Sequence, residues 1–572
     1  MFSCLPGAII FAQRAPIEIV LAPDAILSER RAADELRTYL GQVFAGAKGT
    51  GRILVGPSAE ARRECPDVSW DHLGPEQIVL RTVGPNFVVA GGRPRGTLYA
   101  AYRLLREVGV RWWTPWATDI PSRRSVFKLP NLNLNETPAF EYREPFWFGT
   151  FDRVWASRNM VNGFAEHLDD VVGGGTNYEG FVHTSYPLVP PEKYFAVHPE
   201  WYSLVNGKRV DHDAQLCTTN PELRAFVLDE VRKRLRANPK ATIVSVSQND
   251  CFNPCQCDRC QALARAEGSE SALMLTLANY VADGIREEFP NVAVDTLAYQ
   301  YTRHAPKTLR PRPNVIVRLC SIECDFGRPL TGAQNASFAR DITDWSRLTH
   351  RLYVWDYVTN FAHYIQPLPD VDVLGPNLAF FAGHGVRGIF EEGDHNANGG
   401  DMAELKAWML AQEMWNPSAD PAKLRREFLV GYYGAGAANP ISRYLDLMTQ
   451  RGGATGAHLY DGPNATYLDY GTIRQAELLW QEAETAASND AAKLWRVRIS
   501  HLPVRYVWLC RWDEFQKEAA SRGDRRLLAA TRAEAASEWL ALATGRGPKG
   551  WSPITAVDEG GTTPAAFVAG LK

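Results

Sequence analysis

The sequence predicts an α/β protein in which a small α/β domain precedes a (β/α)8 TIM barrel and a mainly helical region follows. Three observations carry this reading. Strand and helix signals alternate up to about residue 137 and close on a proline-punctuated linker. From Phe140 to about Trp415 one unit recurs: a short apolar run, a polar loop and a helical stretch. Beyond Pro417 the chain is rich in Ala, Leu, Arg and Glu at helical spacing, with few strand signals. The expected domains are therefore 1–137, 138–416 and 417–572, in keeping with a length of 572 residues.

In the first domain Ile17 to Leu21 alternates apolar residues, and Ser28 to Gly41 sets Ala32, Leu36, Tyr39 and Leu40 on one helical face. Arg52–Val55, Gln77–Arg81 and Asn86–Ala90 read as short strands. A second amphipathic helix, Gly96 to Val108, stops before Gly109. Pro115, Pro121, Pro130 and Pro138 punctuate the linker. The barrel strands are expected at Tyr142–Phe148, Gly180–Thr184, Gln215–Thr218, Ile243–Gln248, Val292–Tyr299, Val315–Ile322, Leu352–Trp355 and Val386–Phe390. Helices such as Pro221–Leu235, Ser271–Phe289 and Ala336–Thr349 lie between them. A doubly wound sheet could use the same strands. Polar and acidic residues just after many of the runs favour the barrel, whose chemistry sits at the strands' C-terminal ends. The last stretch, with Pro548, Gly560, Gly561 and Pro564, reads as irregular.

Composition narrows the function classes. Hydrophobic residues make up 45% of the chain, enough for a large core. A net charge of −3 without a basic run gives no case for nucleic acid or an anionic membrane as partner. No stretch reaches the roughly 20 apolar residues of a membrane helix. The start, MFSCLPGAIIFAQRAPIEIV, lacks a basic leader and a long apolar run, so it is not read as a signal peptide, which points to the cytoplasm. Seventeen Trp and 21 Tyr suit stacking on sugar faces, although large barrels also bury many aromatics.

Cleaving a glycosidic bond needs an acid for the leaving oxygen. It also needs a second carboxylate, or the substrate's own acetamido group, to meet the charge developing on the sugar. Acidic residues follow four expected strands: Asp250, then Glu323 and Asp325, then Asp356, then Glu391, Glu392 and Asp394. Singly, such groups are usually solvated loop residues; together they converge on one barrel mouth. Beside them stand sugar-contact candidates Trp147, His183, Tyr299, Tyr301, Trp355 and Tyr357, with Asn249, Asn360, Glu392 and His395 as hydrogen-bonding groups. Trp147 and Tyr299 have an alternative place in the barrel core, and His183 as a structural histidine. Cys251, Cys255, Cys257 and Cys260 follow Asp250 closely and could hold a tetrahedral structural zinc that pins the loop, with a disulfide or reduced free thiols as the alternatives. The Cys-x3-Cys-x2-Cys pattern of a radical iron–sulfur enzyme is not met, because Asp258 stands where the third Cys is required.

The stretches VSVSQNDCFNPCQCDRCQAL, LCSIECDFGRPL, YVWDYVTNFAHYIQPLP and GIFEEGDHN resemble a bacterial alpha-glucuronidase-like family of formerly unknown function, part of which is glycoside hydrolase family 163. AADELRTYL and GTLYAAYRLLREVGVRWWTP look like the accessory domain that precedes the barrel in alpha-glucuronidases and hexosaminidases. The resemblance covers the chain to about residue 415. It implies a retaining endo-β-N-acetylglucosaminidase that cuts the chitobiose core of N-glycans, with the substrate's acetamido group as nucleophile. Its partner would be an oligosaccharide or a glycoprotein glycan, and no cofactor would be required for catalysis. Glu323 is then the leading proton donor, Glu391 and Asp250 the next, and Asp356 an orienting group. Gly327-Arg328 departs from the His expected before Pro-Leu. Members of the resembling family are often exported. An exo-acting alpha-glucuronidase, with Arg143 and Arg303 for a uronic carboxylate, and a non-catalytic carbohydrate-binding barrel are the alternatives.

Overall fold

The computed structural model describes residues 16–571. Residues 1–15, on which the reading of the leader fell, lie outside the described residues. The chain forms two compact units. One takes the chain up to Pro138 together with Asp152–Asn162 and Glu166–Gly175; the other holds Ala139–Phe151, Gly163–Ala165 and the chain from Thr176 onward.

The first unit contains β1 (Glu18–Leu21), β2 (Arg52–Val55), β3 (Ile78–Val83), β4 (Asn86–Gly91), β5 (Arg111–Thr114), β6 (Ala117–Asp119) and β7 (Asn133–Glu136). Five of these form a mixed sheet in the order β1-β2-β4-β3-β7, while β5 and β6 pair as a hairpin. The helix Leu27–Val43 buries Ala32, Leu36, Tyr39 and Leu40, the face its periodicity predicts. The helix Gly96–Glu107 buries Leu98, Ala101, Tyr102 and Leu105 in the same way. Trp112 lies edge-on to Tyr39 and Tyr102, and its indole N–H donates to the Tyr39 hydroxyl at 2.9 Å. Buried aromatic polar ends thus keep a partner.

The second unit is built on a parallel sheet of seven strands: β8 (Tyr142–Phe146), β9 (Tyr178–Glu179), β12 (Ile243–Ser245), β13 (Ala293–Ala298), β14 (Val315–Cys320), β15 (Leu352–Tyr357) and β16 (Gly388–Glu392), after the small hairpin β10 (Leu204–Val205) and β11 (Lys208–Arg209). Its order is β8-β16-β15-β14-β13-β12-β9. β13, β14 and β15 are buried at every position, as a sheet covered on both faces requires. The sheet curls until its two edge strands meet through side chains, Tyr142 lying edge-on to Tyr178 with ring centres 6.1 Å apart. The fold is thus of the TIM-barrel type, as the strand–loop–helix repeat predicts, with seven strands in the ladder and not eight. Gln215–Thr218 is not one of them; its backbone pairs with Trp201–Ser203 instead, through the Tyr202–Leu216 bridge, with the Ser203 N–H on the Gln215 carbonyl at 2.9 Å and the Cys217 N–H on the Trp201 carbonyl at 2.8 Å. The run at Gly180–Thr184 enters the ladder two residues early, and Gly180 at φ +64° and His183 at φ +54° turn the chain out of the sheet.

Long helices follow the barrel, among them Ala435–Thr455, Tyr470–Ala487 and Ala491–Cys510. His501 is buried among them, stacked on Trp480, with one ring nitrogen against Glu477 and the other against Glu484, each at 2.8 Å. The last stretch is irregular to Thr563 and ends in a short helix, Pro564–Gly570. No helix among the described residues is long and apolar enough to cross a membrane.

Candidate active site

A cavity of about 250 Å³ opens where the parallel strands end. Cys320, Tyr357 and Glu392 are the last residues of β14, β15 and β16, Tyr299 follows β13, and all four line it. His183 and Asp250 reach it from the loops after β9 and β12, with Trp355 and Ile322 completing the wall. Phe361, Tyr460 and Glu559 close the rim. A wider, more open groove of about 890 Å³ shares His183 and Asp250 with the cavity and runs on past Tyr186, Pro190, Glu192, Asp211, His212 and Asn249.

The side chains are held in place locally. The Tyr299 hydroxyl donates to Asp250 Oδ1 at 3.2 Å, and Gln300 donates to that hydroxyl in turn at 2.9 Å. Trp355 Nε1 donates to Glu392 Oε2 at 2.8 Å. His183 Nδ1 lies 2.9 Å from the Gln248 carbonyl, so it carries the proton and leaves Nε2 for the opening. Burial pushes the Glu392 carboxyl up to about 8; the Trp355 bond opposes this, while Glu559 and Asp250 add to it as like charges. Burial and Asp250 also raise Glu559.

The strand pleat separates the predicted carboxylates. Successive strand residues point to opposite faces. Tyr357 and Glu392 are register partners and face the cavity, whereas Asp356 and Glu391, also partners, face the surrounding helices. Asp356 accepts from the Ser321 hydroxyl and the Tyr357 N–H, and burial raises it to about 6. Glu391 is 1% exposed, and burial followed by Asp356 pushes it well above the carboxylate range. Glu323 lies in the loop beyond β14, solvent-accessible and paired with Arg303 at 3.0 Å, while Ile322 takes the wall position. Of the four carboxylates proposed for chemistry, only Asp250 therefore lines the cavity, and Glu392, predicted as a binding group, joins it.

The remaining candidates divide similarly. His183, Tyr299, Trp355 and Tyr357 line the cavity, and Asn249 lines the groove. Trp147 is buried beneath Gly393, its indole only 2.1 Å from where a Cβ there would stand. Tyr301 packs near Phe252, and His395 against Phe146. Asn360 is fully buried and ties the Asp461 carbonyl and the His363 N–H. Sequence reasoning passed over Phe361, Tyr460 and Glu559. Glu559 follows no strand; a tight Asp558–Thr562 turn presents it, and its N–H binds the Phe361 carbonyl at 2.9 Å. The acidic Asp-Glu-Gly-Gly turn was the one available signal.

Thiol grouping also differs from the sequence expectation. Cys217, Cys255, Cys257 and Cys260 bring their sulfur atoms within 4.8 Å of one another and can hold a metal ion. Cys251 stands apart, its Sγ 3.5 Å from the Ala214 carbonyl. Cys217 was missed because it comes from a different loop, 40 residues before Cys257.

No protein of curated function is significantly similar in sequence. Among solved structures, the fold is similar to that of a family GH115 4-O-methyl-alpha-glucuronidase with specificity for decorated arabinogalactans, at TM-score 0.58 and 14% identity, over 93% of this chain and 76% of that one. A family 89 glycoside hydrolase from Clostridium perfringens, solved with its substrate GlcNAc-alpha-1,4-galactose, aligns over 82% of this chain and 61% of its own at TM-score 0.47 and 11% identity. Residues 112–446, more than half of the chain, match the family described as "Domain of unknown function (DUF4838)", and the protein belongs to that family.

Proposed function

We propose that the protein is a retaining glycoside hydrolase, an endo-β-N-acetylglucosaminidase acting on the chitobiose core of N-glycans. The observation that carries the hydrolase reading is the pair Asp250 and Glu392 on one aromatic-walled cavity, with Glu392 shifted up to about 8. A carboxyl group that burial keeps protonated can serve as the acid, beside a second carboxyl group on the same cavity. Glu392, protonated at neutral pH, gives its proton to the glycosidic oxygen. The acetamido oxygen of the sugar attacks C1 as that bond breaks, forming a cyclic oxazoline intermediate. Asp250, steadied by Tyr299, accepts the acetamido N–H and meets the positive charge of the ring. Glu392, now a carboxylate, takes a proton from the water that opens the intermediate, so configuration is retained. The sequence choice of Glu323 as donor thereby passes to Glu392. No cofactor enters these steps.

Two features support the finer reading. The open groove that continues from the cavity at His183 and Asp250 leaves room for more than one sugar, as endo action needs. Among the described residues no Arg or Lys lines the cavity. A uronic carboxylate would find neither candidate arginine there: Arg303 is held by Asp341, Ser337 and Glu323, and Arg143 is fully buried against Trp415. Incubation with N-glycoproteins and aryl glycosides, read by mass spectrometry, tests the proposal. Release of an intact glycan that leaves one N-acetylglucosamine on the protein is expected. Release of uronic acid alone, or of no sugar from any member of the panel, would overturn it.

A further inference from the structure

We infer that Cys217, Cys255, Cys257 and Cys260 form a structural zinc centre of four thiolates. Cys217 Sγ lies 3.6 Å from Cys257 Sγ and 3.9 Å from Cys260 Sγ. Zn–S bonds of about 2.3 Å in a tetrahedron put sulfurs about 3.8 Å apart, whereas a disulfide needs about 2.05 Å. The observed spacing is that of shared ligands. These sulfurs also sit in a small apolar cluster with Leu273, Leu204 and Leu263, where four reduced thiols would pack as simple hydrophobes. The surroundings say otherwise. The Leu204 N–H points at Cys255 Sγ at 3.4 Å, Arg209 Nη1 at the same sulfur at 3.6 Å, and Thr219 Oγ1 lies 3.0 Å from Cys260 Sγ. Two N–H donors converging on the Cys255 sulfur match a thiolate, and metal ligands are oriented and tuned by such hydrogen bonds. Cys257 caps the helix Asp258–Glu267 and Cys260 stands in its first turn, where the helix dipole favours negative charge.

The centre joins three segments: the chain leaving Leu216, the β10–β11 hairpin that contacts Cys255, and the helix that starts at Asp258. Between them runs the loop of Asp250. Gln215, two residues before Cys217, donates to the Asn249 and Cys251 carbonyls at 3.1 and 2.6 Å and accepts from the Asn249 N–H at 2.9 Å. Zinc at the four sulfurs therefore clamps both flanks of Asp250. That consequence rests on the proposed function, while metal binding itself does not.

The test uses the full chain, purified under reducing conditions without a metal-binding tag. Elemental analysis should find about one zinc per chain. Replacement by Co²⁺ should give an intense tetrahedral spectrum with thiolate-to-cobalt charge transfer. Cys217→Ser should lose the zinc or lose a thiolate from the cobalt spectrum, and Cys251→Ser should keep both. Zinc-free wild-type protein that shows no thiolate spectrum with added Co²⁺ would overturn the inference, as would equal loss in the Cys251 variant. The cobalt measurement on wild type stands even if a variant fails to fold. A metal centre in a chain that cleaves no glycan would sink the hydrolase reading alone.

Discussion

Glu392 and Glu391 are neighbours in sequence with unrelated surroundings, and the difference decides which of them can act. Glu392 meets the cavity with one oxygen bound by the Trp355 indole, and burial holds its proton up to about pH 8. Glu392→Gln should therefore lower turnover about 10²–10⁴-fold, the range for removing a general acid, with the fold unchanged by circular dichroism. Glu323→Gln, which breaks only the accessible pair with Arg303, should leave turnover near wild type; steady-state kinetics of both variants checks the assignment. The acid works only while protonated, so the wild-type rate should fall as pH rises past about 8. Glu559 raises Glu392 as a like charge. Glu559→Gln should therefore move that limb to lower pH, and an unmoved limb in the pH–rate profile would remove Glu559 from the site. Residue types were legible from the sequence here and side-chain directions were not, because a one-residue error in strand phase exchanges the two faces.

At the scale of elements, β16 and the turn after it carry the tightest packing around the site. A Cβ on Gly393 would stand 2.1 Å from the Trp147 indole, a rigid ring with little room to yield. Gly393→Ala should cost about 1–3 kcal/mol of unfolding free energy, measured by chemical denaturation, and should depress activity because Glu392 is the preceding residue. Most strands were visible as apolar runs, and β13, β14, β15 and β16 fall where the sequence places them. Two of the misses share a cause. Gln215–Thr218 has the composition of a strand, yet its backbone pairs with Trp201–Ser203 and its Gln215 side chain with Asn249 and Cys251, contacts that periodicity does not encode. Cys217 escaped the thiol group for the same reason: spacing along the chain reveals knuckles and conceals ligands from distant loops.

For the whole molecule, buried acids outside the site set the response to pH. Burial raises Glu404 and Glu144 to about 7, and burial with Asp372 raises Glu413 to about 8. An unfolded Glu titrates near 4.3. Below that value both states keep the proton. Between about 4.3 and 8 the unfolded chain alone releases it, so the folded state loses stability as pH rises through that window. Thermal unfolding should occur at lower temperature at pH 8 than at pH 5. Glu413→Gln should recover on the order of a few kcal/mol at pH 8 and only about 1 kcal/mol at pH 5; equal melting of wild type and variant at both pH values would contradict this. Such burial depends on tertiary packing, and the helix Ala403–Trp415 shows no trace of it in its sequence beyond an acid on an apolar face.

The turn that presents Glu559 has a consequence for how this chain can be handled. A version stopped at Gly545 would retain every strand of the described residues, Asp250 and Glu392, and would still lack the Glu559 side of the cavity. Cutting the chain between Gly545 and that turn would leave the cavity open where Glu559 now stands.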